Sequence, residues 1–197
     1  MHEVAELLDR EHYIGSQCAD PSFVFAWRLP GGLFGDTGEV LAAAVFAPPA
    51  SYAWGRRAIE LVRLVRAANL GYPLTQFIAL CLKSLRQTRR YDFVIAYADP
   101  SVGHHGGVYQ SGNWLYLRRS SRKVVYVAPN GRRQSQRSYD QRSRHSSGSS
   151  HWTAIKTTPK LTYIYPLTAT SRRYWTARSK PYEKPSRSAS GGVSAAS

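Results

Sequence analysis

The sequence predicts an α/β (α+β) protein, a mixed sheet around a central parallel β-α-β unit with flanking helices and a basic C-terminal extension. Three observations lead there. Two apolar runs of strand length, IELVRLV (59–65) and YDFVIAYA (91–98), bracket a segment with helical spacing. Upstream, a turn-rich stretch joins two further strand-like runs. The positive charge is confined to one end: residues 1–117 hold 10 Lys/Arg and 10 Asp/Glu, whereas 118–197 hold 17 and 2, which accounts for the net +15.

Taken in order, Val4, Leu7 and Leu8 recur at helical steps, so 3–13 reads as an amphipathic helix. Residues 23–29 and 39–46 read as strands, and PGGLFGDTG between them predicts an antiparallel hairpin. APPASYAWGRR is a loop, because paired prolines cannot join a sheet ladder. Leu74, Phe77, Ile78, Cys81, Leu82 and Leu85 then form one face of a helix, with Pro73 suited to its first turn. The bracketing strands are apolar on both faces, as central parallel strands are. After Gly107, VYQSGNWLYL predicts a short helix with Val108, Trp114 and Leu115 inward. KVVYVA (123–128) and LTYIYP (161–166) read as strands. Residues 130–150, rich in Ser, Arg and Gln, have almost nothing to bury and are expected to be a mobile basic loop, and 179–197 a disordered tail. The expected organisation is a single catalytic domain over 1–178.

No run of 18 uncharged apolar residues is present, so no membrane span is expected. The acidic start MHEVAELLDREHYIG is unlike a secretory signal, and a cytoplasmic protein is expected. Cys18 falls in a loop and Cys81 on the buried face of a helix, where cysteine serves as a small core residue. A neutral body with a cationic last third points to a polyanionic partner, DNA or RNA.

Parallel strands joined by a crossover finish at one edge of the sheet, and ligands of open α/β sheets bind outside that edge. RAAN (66–69) and YAD (97–99) therefore meet, and YADPSVGHHGGVYQSGNWLYL (97–117) starts at the same edge. Asp99 there is either a base at the rim of the core or the cap of the turn at Pro100-Ser101. Tyr109 is either a proton donor to a leaving group or a packed aromatic. His104 and His105 are adjacent and point apart on an extended segment, so they suit hydrogen bonding or substrate contact better than joint chelation. Gly106 and Gly107 at a helix start leave backbone N–H groups open to an anion. Arg63 inside an apolar strand needs an anionic partner: Asp99, Glu60 or a ligand phosphate.

The order of elements resembles the GNAT acyltransferase fold, in which acyl-coenzyme A sits between two splayed central strands. More narrowly, ELVRLVR, PLTQFIALCLKSL and YADPSVGHHGGVYQSGNWLYL resemble the phage Mom family of DNA modification proteins, and TPKLTYIYPL resembles that family's closing strand. The resemblance implies conversion of adenine in phage DNA to N6-(carbamoylmethyl)adenine, which protects the DNA from host restriction. Its matching positions are Arg63, Asp99 and Tyr109 as catalytic residues. For an acyl-CoA or related donor it offers Arg66, Asn69 and Thr75, although RAANLGYPLT has one glycine where the pyrophosphate loop of ordinary GNAT proteins has two. Iron is associated with the family, and His104 and His105 are its candidate ligands here. Candidate substrate contacts are His105, Asn113, Trp114 and Tyr52.

The expected partner is double-stranded DNA with a flipped adenine, with no membrane, and a homodimer is admitted. Extrusion is required because the exocyclic nitrogen is inaccessible within the stack. Two other functions fit the sequence: a GNAT-type N-acetyltransferase acting on a small amine or protein, and a non-catalytic nucleic-acid binder.

Overall fold

The computed structural model describes residues 2–11, 21–28, 38–68, 71–122, 124–127, 129, 133–135, 139 and 152–182. Helix α1 (His2–Glu11) buries Val4, Leu7 and Leu8. The main sheet begins with β1 (Phe23–Arg28) and β2 (Val40–Ala47), an antiparallel pair as the hairpin pattern predicts. β2, VLAAAVFA, is buried at every position, and α1 packs against it and against β3 (Ala58–Arg66). A 3₁₀ turn, Tyr52–Trp54, lies in the loop between β2 and β3.

Helix α2 (Leu74–Thr88) buries Phe77, Ile78, Cys81, Leu82 and Leu85, five of the six predicted positions, and Leu74 is half-buried. Pro73 is its N-cap, and Arg89 closes it in a left-handed conformation, φ 54°. The helix returns the chain to β4 (Phe93–Ala98), which pairs parallel to β3, so the β-α-β unit is present as predicted.

Helix α3 (Gly107–Ser111) is shorter than the sequence suggests. Asn113 takes a left-handed conformation, φ 57°, and LYLRR forms β5 (Leu115–Arg119) rather than more helix. The physical reason is that Leu115 and Tyr116 find ladder partners, Ile164 and Tyr163, that no local pattern reveals. β6 (Val124–Val127), β7 (Arg133–Ser135) and β8 (Thr153–Lys156) form a separate three-stranded sheet in the order β7-β6-β8. β7 lies within the segment expected to be a mobile loop, most of which is outside the described residues.

β9 (Leu161–Pro166) inserts between β4 and β5, antiparallel to both, and gives the order β1-β2-β3-β4-β9-β5. α4 (Ala169–Thr176) follows, held by a Thr168–Ser171 capping box. Of the expected tail, residues 179–182 are described and lie along β5: the Lys180 N–H donates to the Tyr116 carbonyl (2.8 Å), and the Tyr182 hydroxyl to the Trp114 carbonyl (2.6 Å). Residues 183–197 lie outside the described set.

Candidate active site

The β3–β4 ladder runs from Ala58↔Phe93 to Leu61↔Ala96 and stops there, although β3 continues to Arg66 and β4 to Ala98. The two central strands therefore splay at their C-terminal ends. The β2–β3 register shows a second irregularity at the same level: Phe46 faces Leu61 and Val45 faces Arg63, leaving Val62 as an extra residue. A bulge of this kind bends and twists its strand, which turns β3 away from β4. Arg63 stands just beyond the last pair, and its Nη1 donates to the Val62 carbonyl at 2.8 Å. Arg66 is exposed at the strand end, Thr75 is half-buried in the first turn of α2, and Asn69 lies outside the described residues.

Asp99 follows β4 directly and is buried. Its Oδ1 accepts from the Ser101 backbone N–H (3.0 Å) and hydroxyl (2.5 Å), and its Oδ2 lies 3.1 Å from Lys160 Nζ. The capping role is thus observed, with a cation added. Burial pushes the carboxyl up, but the hydrogen bonds from Ser101 and Lys160 and the charge of Lys160 outweigh it, so the group titrates below the usual carboxylate range. Lys160 is a site residue that sequence reasoning missed, because no local pattern relates it to Asp99. Only the β4–β9 register, which places Leu161 opposite Ala98, does so.

The Asp99 carbonyl accepts from the N–H groups of Val102 and His104, closing the turn into Gly106. Gly106 has φ 78°, and a β-carbon there would fall on the ring and hydroxyl of Tyr163. Tyr109 is buried at the start of an aromatic cluster, with ring centroids 5.1 Å from both Trp114 and Tyr163. Gln110 Nε2 donates to the Tyr163 hydroxyl at 3.1 Å.

Several expected contacts are placed differently. Trp114 is fully buried between Tyr109 and Tyr165, so it is a core residue and offers no open ring to a base. Tyr116 is likewise buried. Asn113 is exposed and serves a turn, for which its tolerance of positive φ suits it. Tyr52 lies in the β2–β3 loop, which enters β3 at the edge opposite the splay, and is 96% exposed. His104 and His105 are exposed, and among the described residues no three His, Cys, Asp or Glu side chains converge as metal ligands. The iron expectation is therefore unsupported: two neighbouring histidines without a third ligand do not make a site.

A second polar group lies on the sheet face that carries Phe93, Ile95 and Tyr97. Tyr97, Thr162 and Arg118 stand side by side across β4, β9 and β5, with Glu60 on β3 next to the splay. Burial, then the charge of Glu60, raises the Tyr97 phenol, while a hydrogen bond with Trp54 and the charge of Arg118 oppose them. A shallow groove between β1 and α2 is lined by Phe25, Trp27, Phe77, Leu80 and Cys81. Burial raises the Cys81 thiol to about 12, which makes it no nucleophile.

By topology the cationic segment is joined to this site. Arg119, Leu161 and Ala98 are laterally aligned, so residues 120–160, with nine Lys/Arg and one acid, leave and re-enter the sheet at the edge where β4 ends. The neck is closed by Ser120 N–H to the Lys160 carbonyl (2.7 Å) and Lys160 N–H to Ser120 Oγ (2.9 Å).

A strand order with β9 between β4 and β5, and a splayed parallel pair at its centre, defines the GNAT acetyltransferase class of fold. Superposition agrees: the ribosomal-protein-S18-alanine N-acetyltransferase from Escherichia coli matches at a TM-score of 0.50 and 10% identity, over 85% of this chain and 87% of that one. An N-acetyltransferase from Staphylococcus aureus Mu50 matches at a TM-score of 0.40 and 15% identity, over 66% of this chain and 63% of that one, so the chain spans less than two thirds of its length. These likenesses are of fold. Within the class, the chain belongs to the Mom protein family, whose model matches residues 32–184. No curated protein matches it. No helix among the described residues is long and apolar enough to cross a membrane.

Proposed function

We propose that this protein is a DNA-modifying transferase that converts adenine to N6-(carbamoylmethyl)adenine, as the Mom resemblance implies. Family membership and the fold together support a transferase. The observation that carries the DNA reading is that the cationic insertion 120–160 is rooted at the edge where β3 and β4 part. A polyanion held by the insertion is thereby presented to the splay, and steering of this kind needs only charge and position.

The donor is an acyl-CoA or a related compound. The residues fit its phosphates in part: α2 starts at this edge with no side-chain cap and no acid in its first turn. Such a terminus favours an anion. Arg66 and Thr75 flank it, and the single Gly71 replaces a fuller glycine loop. When bound, the donor supplies the activated carbon.

Adenine N6 is a weak nucleophile because its lone pair is delocalised into the ring. To give a carbamoylmethyl group, N6 must bond to a donor methylene carbon that carries the leaving group rather than to an acyl carbonyl. The bond from that carbon to the leaving group breaks, the leaving group departs with its electron pair, and the nitrogen becomes strongly acidic. A carboxylate titrating below the usual range is then still an adequate proton acceptor, and we assign this role to Asp99. Tyr109 returns a proton to the leaving group, and Arg63 balances negative charge at the splay. His105, exposed on the turn that follows Asp99, and Asn113, exposed on the turn before β5, remain substrate contacts in this reading.

The test is expression in a bacterium followed by nuclease digestion and mass spectrometry of the deoxynucleosides. A deoxyadenosine heavier by a carbamoylmethyl group is expected. Only unmodified deoxyadenosine, with the protein folded and bound to DNA, overturns the reaction. Modification of a protein or small amine by acetyl-CoA without DNA turns the reading into that of an ordinary N-acetyltransferase.

A further inference from the structure

The proposed chemistry makes no use of the most exposed aromatic side chain among the described residues. Tyr52 is 96% exposed on a three-residue turn that is anchored from within: Trp54, at its other end, has its ring centroid 6.4 Å from Phe93 and 6.0 Å from Trp175, and the Arg118 guanidinium 6.0 Å away. Pro48 and Pro49 precede the turn, and Gly55 follows it at φ 79°. The phenol is therefore held out from a fixed base. A single exposed tyrosine is unremarkable by itself, so its surroundings decide the reading.

Those surroundings are cationic. Trp175 brings α4 against the same cluster, and Tyr174 packs on Trp175 at 4.9 Å. Ser171 and Trp175, one turn apart, face inward, which puts Arg173 on the opposite side with Arg172 and Tyr174 flanking it. Residues 168–182 contain four Lys/Arg and no acid, and among the described residues no carboxylate pairs with Arg172, Arg173 or Arg178. Exposed Arg56 adjoins the Tyr52 turn.

We propose that this outer face, formed by the Tyr52 turn and α4, docks the backbone of duplex DNA, with Tyr52 entering the base stack as an apolar wedge at a step away from the nucleotide at the splay. The proposal rests on the DNA reading above and deepens it. α4 begins where β4 begins, since the Leu167 N–H donates to the Asp92 carbonyl at 2.8 Å, whereas the insertion is rooted where β4 ends. Six residues of strand cover about 20 Å, or about six base pairs at 3.4 Å each. A duplex lying along β4 thus reaches both cationic surfaces. Wedging side chains of this kind unstack a base step and kink the duplex, and a ring stacked on a base is worth enough to be measured.

The test uses the full chain and two labelled duplexes of about twenty base pairs, one fully paired and one with a single adenine opposite an abasic site, with binding followed by fluorescence anisotropy across a salt series. Tyr52→Ala is expected to weaken binding to the paired duplex by about tenfold, from the loss of one stacked ring, and Tyr52→Phe to restore it. Arg172→Gln with Arg173→Gln is expected to make the slope of log K against log salt shallower by about 1.8, two phosphate contacts at about 0.9 each. All three side chains are exposed, and unchanged melting temperatures confirm folded variants. If wild type binds DNA and neither variant departs from it, the surface is wrong and the DNA reading stands. If wild type binds neither duplex but captures polyglutamate through these residues, the partner is an acidic protein and both readings fall. If it binds none of these, both fall equally.

Discussion

Asp99 holds three duties that its residue type alone does not separate: it caps a turn, pairs with Lys160, and stands at the splay. A variant distinguishes them. Asp99→Asn keeps much of the cap geometry and is expected to leave DNA affinity within about twofold while product falls by at least about a hundredfold, the scale of acid–base catalysis. Mass spectrometry of modified DNA and a filter-binding assay read the two effects. The pH dependence has a definite sign. A carboxyl whose folded-state pKa lies below its unfolded value stabilises the fold at pH above about 4 and loses that contribution as pH falls through the folded value. Replacing Lys160 by Met removes a cause of the depression, so acid unfolding is expected to begin at higher pH than in wild type, as followed by circular dichroism. Gly106 is a purely steric case. Its positive φ and the closeness of Tyr163 both exclude a β-carbon, so Gly106→Ala is expected to cost about 1–3 kcal/mol in denaturant unfolding.

The elements divide by how much of their reason is local. β3, α2 and β4 are legible because IELVRLV and YDFVIAYA bury both faces and α2 repeats its apolar residues at helical steps. β5 is not, because LYLRR is short, sits beside a helix start, and is a strand only when β9 arrives next to it. α4 went unpredicted for a similar reason: ATSRRYWT turns only Ser171 and Trp175 inward, too few to show a period. The C-terminal segment then covers β5, whose outer edge pairs with no strand among the described residues. Truncation after Arg178 removes the Lys180 and Tyr182 bonds to β5 and uncovers that edge. A lower melting temperature and concentration-dependent light scattering are expected, since an uncovered edge templates association.

At the scale of the whole molecule, the acyltransferase-like body and the insertion are separable in principle. The neck between Ser120 and Lys160 is already closed by backbone and hydroxyl hydrogen bonds, so residues 121–159 can be replaced by Asn-Gly, a sequence suited to a tight hairpin. The shortened protein is expected to keep its near-ultraviolet circular dichroism while its DNA affinity falls by more than about tenfold at moderate salt. Unchanged affinity would move DNA binding elsewhere on the molecule, with the α4 face as the next place to look. The charge asymmetry that first suggested a polyanion is a property of the chain. Its attachment at the splay is a property of the fold.

Periodicity, apolar runs and charge counts, all local or additive, were sufficient by themselves to specify the β-α-β unit, the shared edge at which its strands end and the cationic character of the last third. Tertiary structure decided what depends on register between distant strands. It put Lys160 on Asp99, buried Trp114 that was a candidate substrate contact, sent Tyr52 to the far end of β3, and rooted the insertion where β3 and β4 part. Such pairings arise from ladder contacts between segments far apart in the chain, and no window of neighbouring residues carries that information.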